Sequence, residues 1–171
     1  YVALRYANVY GPRQDPHGEA GVVAIFGQKM LRGETPTIYG DGEQLRDYVY
    51  VDDVVQANLL ALEHLAHSVS PHAIGHLDAL AYNIGTGRGT SVNELFGLLG
   101  TITGYSGKAT YGAERPGELK KIYLDASKAA RELGWKPQVG LEEGLRRTIA
   151  HLAAENQPGH FRSASYPSSR A

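Results

Sequence analysis

Cysteine is absent from the 171 residues of this chain. The absence excludes a disulfide-stabilised scaffold and metal sites built on thiolates, and it is typical of a reducing compartment, so we expect a cytoplasmic location. An excess of charge is also lacking, because 17 Lys and Arg residues stand against 18 Asp and Glu residues. Without a bulk field of either sign, we expect no binding to nucleic acid or to an anionic membrane.

Other patterns are missing as well. No apolar run approaches the roughly 20 residues that a membrane-spanning helix needs, so we expect a soluble protein. The seven histidines lack the HExxH spacing or any similar one, which predicts no metal site, and no GxSxG motif supports a serine hydrolase. The chain starts at Tyr1 rather than Met and enters a strand-like run at once, so we interpret it as the later part of a longer protein.

Strand-like and helix-like segments alternate along the chain, which predicts an α/β fold with parallel pairing through crossover helices. We expect strands at residues 2–6 (buried), 36–39, 45–51, 81–84 and 108–111. Helices are expected at 21–31, after the acids Asp52 and Asp53, at 91–99 behind a capping box, at 125–134, and around 141–152. The runs at 36–39 and 45–51 either pair or flank a tight loop. Residues 67–80 are predicted to be a surface loop, residues 1–157 one unit, and residues 158–171 a disordered tail.

A glycine-rich segment at residues 85–90 follows a predicted strand and precedes a predicted helix, which is the setting of a dinucleotide-binding loop. The GxGxxG pattern needs glycine where Thr90 stands. An acid is also missing about 20 residues on, because Tyr105 and its neighbours are neutral. We therefore interpret the segment as a strand-to-helix turn.

Two arginines, Arg46 and Arg115, lie where a turn meets a predicted element, so their side chains can reach outward. Guanidinium groups form bidentate, charge-assisted bonds to phosphate, and two of them suit a pyrophosphate. The alternative is local pairing, of Arg46 with Asp47 or Asp52 and of Arg115 with Glu118. The residues alone favour local pairing, since most arginines in loops are solvated.

Asn8 and Tyr39 each lie near the end of a predicted strand. The Asn8 amide could donate to a phosphate or sugar oxygen, or it could close a turn through its own backbone. The Tyr39 ring could stack on a base or pack against the fold. For both residues the structural role is the more common one.

Six segments in this order and spacing resemble the extended short-chain dehydrogenase/reductase family, in particular UDP-glucose 4-epimerases and their sugar-nucleotide relatives. They are 4–12 (LRYANVYGP), 37–42 (TIYGDG), 46–53 (RDYVYVDD), 82–85 (YNIG), 115–118 (RPGE) and 125–128 (DASK). Several motifs in one order are more specific than any single one. The resemblance implies the carboxy-terminal part of a Rossmann-type NAD(P)-binding fold with its small α/β substrate-binding lobe.

The resemblance also implies a UDP-sugar ligand, NAD as cofactor and a homodimer for the complete protein. It assigns the diphosphate or nearby ribose to Asn8, Arg46 and Arg115, the ribose to Glu118, the base to Thr37, Ile38 and Tyr39, and further nucleotide-sugar contacts to Val22 and Val23. Ala7 and Tyr6 would lie beside the nicotinamide of NAD.

The sequence departs from the family pattern at the catalytic residues. The family's base is a tyrosine with lysine four residues later, and none of the 11 tyrosines here has one. The amino-terminal glycine-rich NAD loop is absent too. We therefore expect the catalytic residues and most of the NAD site upstream of Tyr1, and no activity from this chain alone. Alternatives that share the motifs are a dTDP-glucose 4,6-dehydratase or a UDP-glucuronate decarboxylase. A non-catalytic nucleotide-sugar binding module is an alternative of another class.

Overall fold

A computed structural model describes residues 1–15, 21–68 and 79–156. The strands in this part of the chain are β1 (Ala3–Tyr6), β2 (Asn8–Tyr10), β3 (Thr37–Tyr39), β4 (Leu45–Arg46), β5 (Tyr48–Tyr50), β6 (Ala81–Ile84), β7 (Thr90–Ser91), β8 (Thr110–Gly112) and β9 (Lys121–Ile122). The helices are α1 (Val22–Leu31), α2 (Val51–Ser68), α3 (Val92–Thr103), α4 (Ser127–Glu132) and α5 (Leu141–Glu155). Most of the loop predicted at 67–80 and the tail predicted at 158–171 lie outside the described residues.

The strands pair mainly in parallel. β1 pairs with β6, β2 with β5 and β3 with β8, and every one of these pairs is parallel. β4 lies between β7, which is antiparallel to it, and β9, which is parallel. Parallel partners need a crossover connection between them, and here helices lie between the partners in sequence. The predicted α/β class is confirmed.

Two strand predictions need correction, and one open alternative is decided. The run at 45–51 is two strands, which separate at Asp47 because this side chain turns into the 85–87 loop. Of the two alternatives for the runs at 36–39 and 45–51, the structure fits the one in which they flank a loop without pairing: Thr37 aligns with Thr110, and Leu45 lies between β7 and β9. The first strand is only half-buried, with Tyr6 45% exposed, since β6 alone pairs with it among the described strands.

Local signals set the helix boundaries. Ser91 Oγ accepts a hydrogen bond from the Glu94 amide at 3.0 Å, as the capping pattern predicts, and α3 continues past the predicted end to Thr103. Gly104 adopts a left-handed conformation with φ of 73°, which glycine tolerates at a helix end. α2 has Asp52 and Asp53 in its first turn, where acids favour the helix dipole.

Two hydrophobic cores hold these elements together. One joins α1, α3 and α5 to β2 and β5 and includes Phe26, Leu95 and Leu145. The other lies between α2, β6 and α4 and includes Tyr82 and Trp135. None of the helices in the described part of the chain is long and apolar enough to span a membrane.

Candidate functional site

Arg46, at the end of β4, forms an ion pair with a residue far away in sequence. Its Nη2 donates to Oε1 of Glu118 at 2.8 Å, and its Nη1 donates to the carbonyls of Leu45 and Leu119 at 2.9 and 2.8 Å. The Arg46 and Glu118 side chains are only 14% and 23% exposed. Local pairing with Asp47 or Asp52 is therefore wrong. The Nε–H and one Nη2–H of Arg46 have no partner among the described residues.

Asp47 anchors the neighbouring glycine-rich loop. Its buried carboxylate accepts hydrogen bonds from the amides of Thr86 at 2.9 Å, Gly87 at 3.0 Å and Leu124 at 3.3 Å. A Cβ at Gly85 would lie 2.5 Å from Asp47 Oδ2, so a side chain there would displace the carboxylate. Because the protein's own anion occupies the loop amides, the loop is not free to bind a phosphate. This arrangement supports the interpretation of residues 85–90 as a turn.

Arg115 lies in the turn after β8, where the Glu118 amide donates to the Arg115 carbonyl at 3.2 Å. The expected pairing of Arg115 with Glu118 is wrong, because Glu118 binds Arg46. The other nearby carboxylate, Glu114, pairs with Lys120 at 3.2 Å. Arg115 forms no ion pair within residues 1–15, 21–68 and 79–156, and its guanidinium carbon lies 4.4 Å from the ring centroid of Tyr39. Arg115 is therefore an exposed cation that pairs with no carboxylate in the described segments, and it is available for an anionic ligand.

β3 presents Tyr39 and buries its neighbour. Tyr39 is 43% exposed, whereas the Ile38 side chain is fully buried in the core, so only the backbone of Ile38 could contact a base. Thr37 is half-buried, and its hydroxyl lies 3.1 Å from the hydroxyl of Thr110. Gln44 donates from Nε2 to the Tyr39 carbonyl at 3.0 Å, which fixes the end of the strand.

A cleft of about 220 Å³ lies at the start of α1. Its lining includes the predicted residues Asn8, Val22 and Val23, although the side chain of Val23 is buried in the core. α1 begins after Gly21 with no side-chain cap and no acid in its first turn. The positive end of the helix dipole therefore lies at the cleft, and neither Gly21 nor the first turn of α1 supplies a negative charge to neutralise it. Such a helix terminus favours the binding of an anion.

Two site residues were missed by the sequence reasoning, Gln44 and Tyr48. Tyr48 lines the same cleft, and its buried hydroxyl has no hydrogen-bond partner among the residues that the structure describes. Burial raises the pKa of Tyr48 to about 12, and the positive charge of Arg46 acts in the opposite direction. The signal for Tyr48 was its position beside Arg46 in the 46–53 segment.

Backbone pairing joins the cleft to the arginines. The Asn8 amide donates to the Asp47 carbonyl at 2.8 Å, and Asn8 stands opposite Tyr48 in the β2–β5 pair. Asn8 is therefore placed next to the residue that follows Arg46. Pairwise contacts link five of the predicted residues in a series, from Asn8 through Arg46, Glu118 and Arg115 to Tyr39, and we call this series the strip. This strip combines two cations, a helix amino terminus and an exposed aromatic ring.

Tyr6 and Ala7 lie at the carboxyl end of the parallel β1–β6 pair, the edge where open α/β sheets bind cofactors. The Tyr6 hydroxyl donates to Asn58 of α2 at 3.0 Å, and the Ala7 amide donates to the Ile84 carbonyl at 2.9 Å. The described residues contain no group of three His, Asp or Glu side chains that could hold a metal ion.

Comparison with known proteins gives similar sequences over most of the chain. The model of the NAD-dependent epimerase/dehydratase family matches residues 1–85. A putative UDP-glucose 4-epimerase of Methanocaldococcus jannaschii is 48% identical over 157 residues, which are 92% of this chain and 47% of that protein. The UDP-glucose 4-epimerase of Mycolicibacterium smegmatis is 43% identical over 88% of this chain and 45% of its own length.

Solved structures show the same likeness. UDP-glucose 4-epimerase from Thermotoga maritima with UDP-glucose superposes with a TM-score of 0.81 and 54% identity, over 92% of this chain and 47% of that one. The Thermus thermophilus UDP-glucose 4-epimerase in complex with NAD gives a TM-score of 0.73 and 42% identity, over 88% of this chain and 46% of that one. The chain spans about half the length of the curated relatives it matches.

Proposed function

The chain belongs to the NAD-dependent epimerase/dehydratase family, and from this we propose that it is the nucleotide-sugar-holding half of an NAD-dependent UDP-sugar 4-epimerase, of the UDP-glucose/UDP-galactose kind. One observation carries the proposal most directly. Arg115 lies exposed beside Tyr39 with both nearby carboxylates engaged elsewhere, Glu114 by Lys120 and Glu118 by Arg46. A pre-placed cation next to an aromatic ring fits a ligand that joins phosphate to a base.

Each part of the nucleotide has a place along the strip. We assign the diphosphate to Arg115, to the remaining donors of Arg46, and to Asn8 with the amino terminus of α1. Each charge-assisted hydrogen bond from an arginine to phosphate contributes about 1.5–3 kcal/mol. The base is assigned to Tyr39 and the adjacent β3 backbone. Glu118 uses Oε1 for Arg46, which leaves Oε2 for a ribose hydroxyl.

Holding the nucleotide rather than the sugar suits an epimerase. The reacting sugar must present both of its faces in turn, so strong contacts to the ring would oppose the reaction. Binding energy from a remote part of the substrate can position the reacting group without restraining it. The assigned residues Asn8, Arg46 and Arg115 all act on the nucleotide in this proposal.

NAD, the redox group of the family, fits this chain only in part. The loop at residues 85–87 does not fit a dinucleotide pyrophosphate, because Asp47 takes its amides. Tyr6 and Ala7 lie at the sheet edge where a nicotinamide could sit. We therefore place the main NAD site and the catalytic Tyr-x-x-x-Lys pair in the half of such an enzyme that this chain does not span. For the whole enzyme we propose a cytoplasmic homodimer.

Calorimetric titration of this chain with UDP, dTDP, GDP and UDP-glucose tests the proposal. We expect UDP and UDP-glucose to bind, GDP to bind at least tenfold more weakly, and the chain alone to show no epimerase activity. Tighter binding of dTDP than of UDP would instead favour a dTDP-glucose 4,6-dehydratase. Absence of binding by every nucleotide would reject the proposed function.

A further inference from the structure

One face of the Tyr39 ring, to which the base is assigned above, is covered by a side chain of the protein. The guanidinium carbon of Arg115 lies 4.4 Å from the ring centroid, within the range of a cation–π contact. The ring also lies against β8, since an added Cβ at Gly112 would come within 3.2 Å of its Cδ1 and 3.3 Å of its Cε1. A base that stacks on Tyr39 from the Arg115 side must therefore displace the guanidinium.

The surroundings of Arg115 hold its backbone while leaving its side chain free to turn. The Glu118 amide bonds to the Arg115 carbonyl, and Gly117 has a φ of 77°, which closes the turn. On the other side, Lys120 lies 3.2 Å from Glu114 and 3.6 Å from Asp41, and so links this turn to the end of β3. The guanidinium itself has no carboxylate partner in the described part of the chain. It can leave the ring without breaking an ion pair.

We propose that Arg115 makes the site selective for phosphorylated nucleotides over bare nucleosides. The side chain covers Tyr39 until a phosphate group draws its guanidinium away and opens the ring to the base. This inference rests on the nucleotide-binding role proposed above and deepens it. Specificity of this kind combines an attraction for the right ligand with an obstacle to the wrong one.

The two interactions of Arg115 differ enough in strength for this selection to work. A cation–π contact at an exposed site corresponds to about a 2- to 5-fold effect on binding, whereas a charge-assisted bond to phosphate corresponds to about 10-fold or more. A nucleotide that carries phosphate therefore gains more than it loses when the guanidinium moves. A nucleoside must displace the guanidinium from the ring but has no phosphate group with which the guanidinium can form a charge-assisted bond.

Calorimetric titration with uridine, UMP and UDP tests the inference on the unaltered chain and on three variants. Arg115→Ala removes both interactions, so uridine should bind about 2- to 5-fold more tightly while UDP binds about 10-fold more weakly. Arg115→Lys keeps the charge but loses the planar stacking group, so it should relieve the obstacle to uridine and retain part of the UDP affinity. Arg88→Ala is the matched control, because Arg88 is 70% exposed and pairs with Glu94.

Opposite changes in the affinities for uridine and for UDP distinguish this selective role from the simple loss of a binding contact. If Arg115→Ala weakens or leaves unchanged the binding of uridine while UDP binding falls, the selection role is wrong and the proposed function stands. If the unaltered chain binds no UDP, both are wrong. If Arg88→Ala shifts uridine and UDP affinity as Arg115→Ala does, the effect comes from net charge and the inference is overturned.

Discussion

Glu118 accepts a 2.8 Å hydrogen bond from Nη2 of Arg46 and so joins two segments that are 72 residues apart in the sequence. Arg46 is therefore part of the scaffold as well as of the proposed nucleotide site. Arg115 is exposed, and its contact in the structure is with the Tyr39 ring. Both arginines lie where a turn meets an element in the sequence. In the fold, however, Arg46 belongs to a largely buried ion pair and Arg115 is exposed, so their removal should change the stability of the protein by different amounts.

Arg46→Ala should destabilise the protein more than Arg115→Ala. Removing Arg46 takes donors from the half-buried Glu118 and from the Leu119 carbonyl, at a cost of about 1–3 kcal/mol in the free energy of unfolding. Removing Arg115 loses one exposed cation–π contact and should cost less than about 1 kcal/mol. Urea unfolding followed by circular dichroism measures both. Equal losses would contradict the scaffold role of Arg46.

Asp47→Asn should be strongly destabilising. The carboxylate of Asp47 accepts from three backbone amides, and an amide side chain would replace one charged acceptor with a donor. We expect the free energy of unfolding to fall by about 3 kcal/mol. Asp52→Asn is the matched control, since Asp52 is exposed in the first turn of α2, where a change in charge costs less than about 1 kcal/mol. Similar urea midpoints for the two variants would show that the 85–87 loop does not depend on Asp47.

The sequence predicted features that depend on nearby residues. The period of α5, the acids at the start of α2 and the capping of α3 by Ser91 all involve residues within one or two helical turns. The period of α5 and the capping of α3 were confirmed because local spacing determines them. The start of α2 was only partly right, because the helix begins at Val51, before the two acids that were expected to precede it. Each motif of the family resemblance is short and unspecific alone, but the order of the motifs along the chain indicated the family.

Features that depend on distant partners could not be predicted in this way. Leu45 pairs with β7 and β9 rather than with β3, because strand pairing is decided by the assembled cores. Local pairing was favoured for Arg46, but its partner Glu118 becomes adjacent only when β4 and the turn after β8 meet.

The burial of Ile38 beside the exposed Tyr39 follows strand alternation, and this signal was present in the sequence.

The buried tyrosines should make the protein sensitive to alkaline pH. Burial raises the pKa of Tyr48 to about 12 and of Tyr82 to about 12, the latter aided by the hydrogen bond to Glu132. In the unfolded chain these groups titrate near pH 10, so the folded state holds more protons above that pH. Their contribution to stability is complete below about pH 10 and is lost as the pH rises through about 12.

Tyr48→Phe and Tyr82→Phe test this pH dependence as a matched pair. Both should reduce the loss of stability between about pH 10 and 12. At neutral pH they should differ. The buried Tyr48 hydroxyl has no partner in the described part of the chain, so its removal should be nearly neutral or stabilising. Tyr82→Phe breaks the bond to Glu132 and should cost about 1 kcal/mol. The urea midpoint of each variant is measured across this pH range. If the midpoints of both variants fall with pH in parallel with that of the unaltered chain, the alkaline loss of stability does not come from these two tyrosines.

The most direct test of the proposed nucleotide site is the dissociation constant of UDP, measured by calorimetry for the unaltered chain and for Arg46→Ala, Arg115→Ala and Arg146→Ala. Arg146 is the control, since it is 54% exposed and pairs with Glu142 on the surface of α5. We predict that Arg46→Ala and Arg115→Ala each weaken UDP binding by about 10-fold or more, while Arg146→Ala changes it by less than about twofold. The same dissociation constant for all four proteins, or no binding by the unaltered chain, would contradict the account.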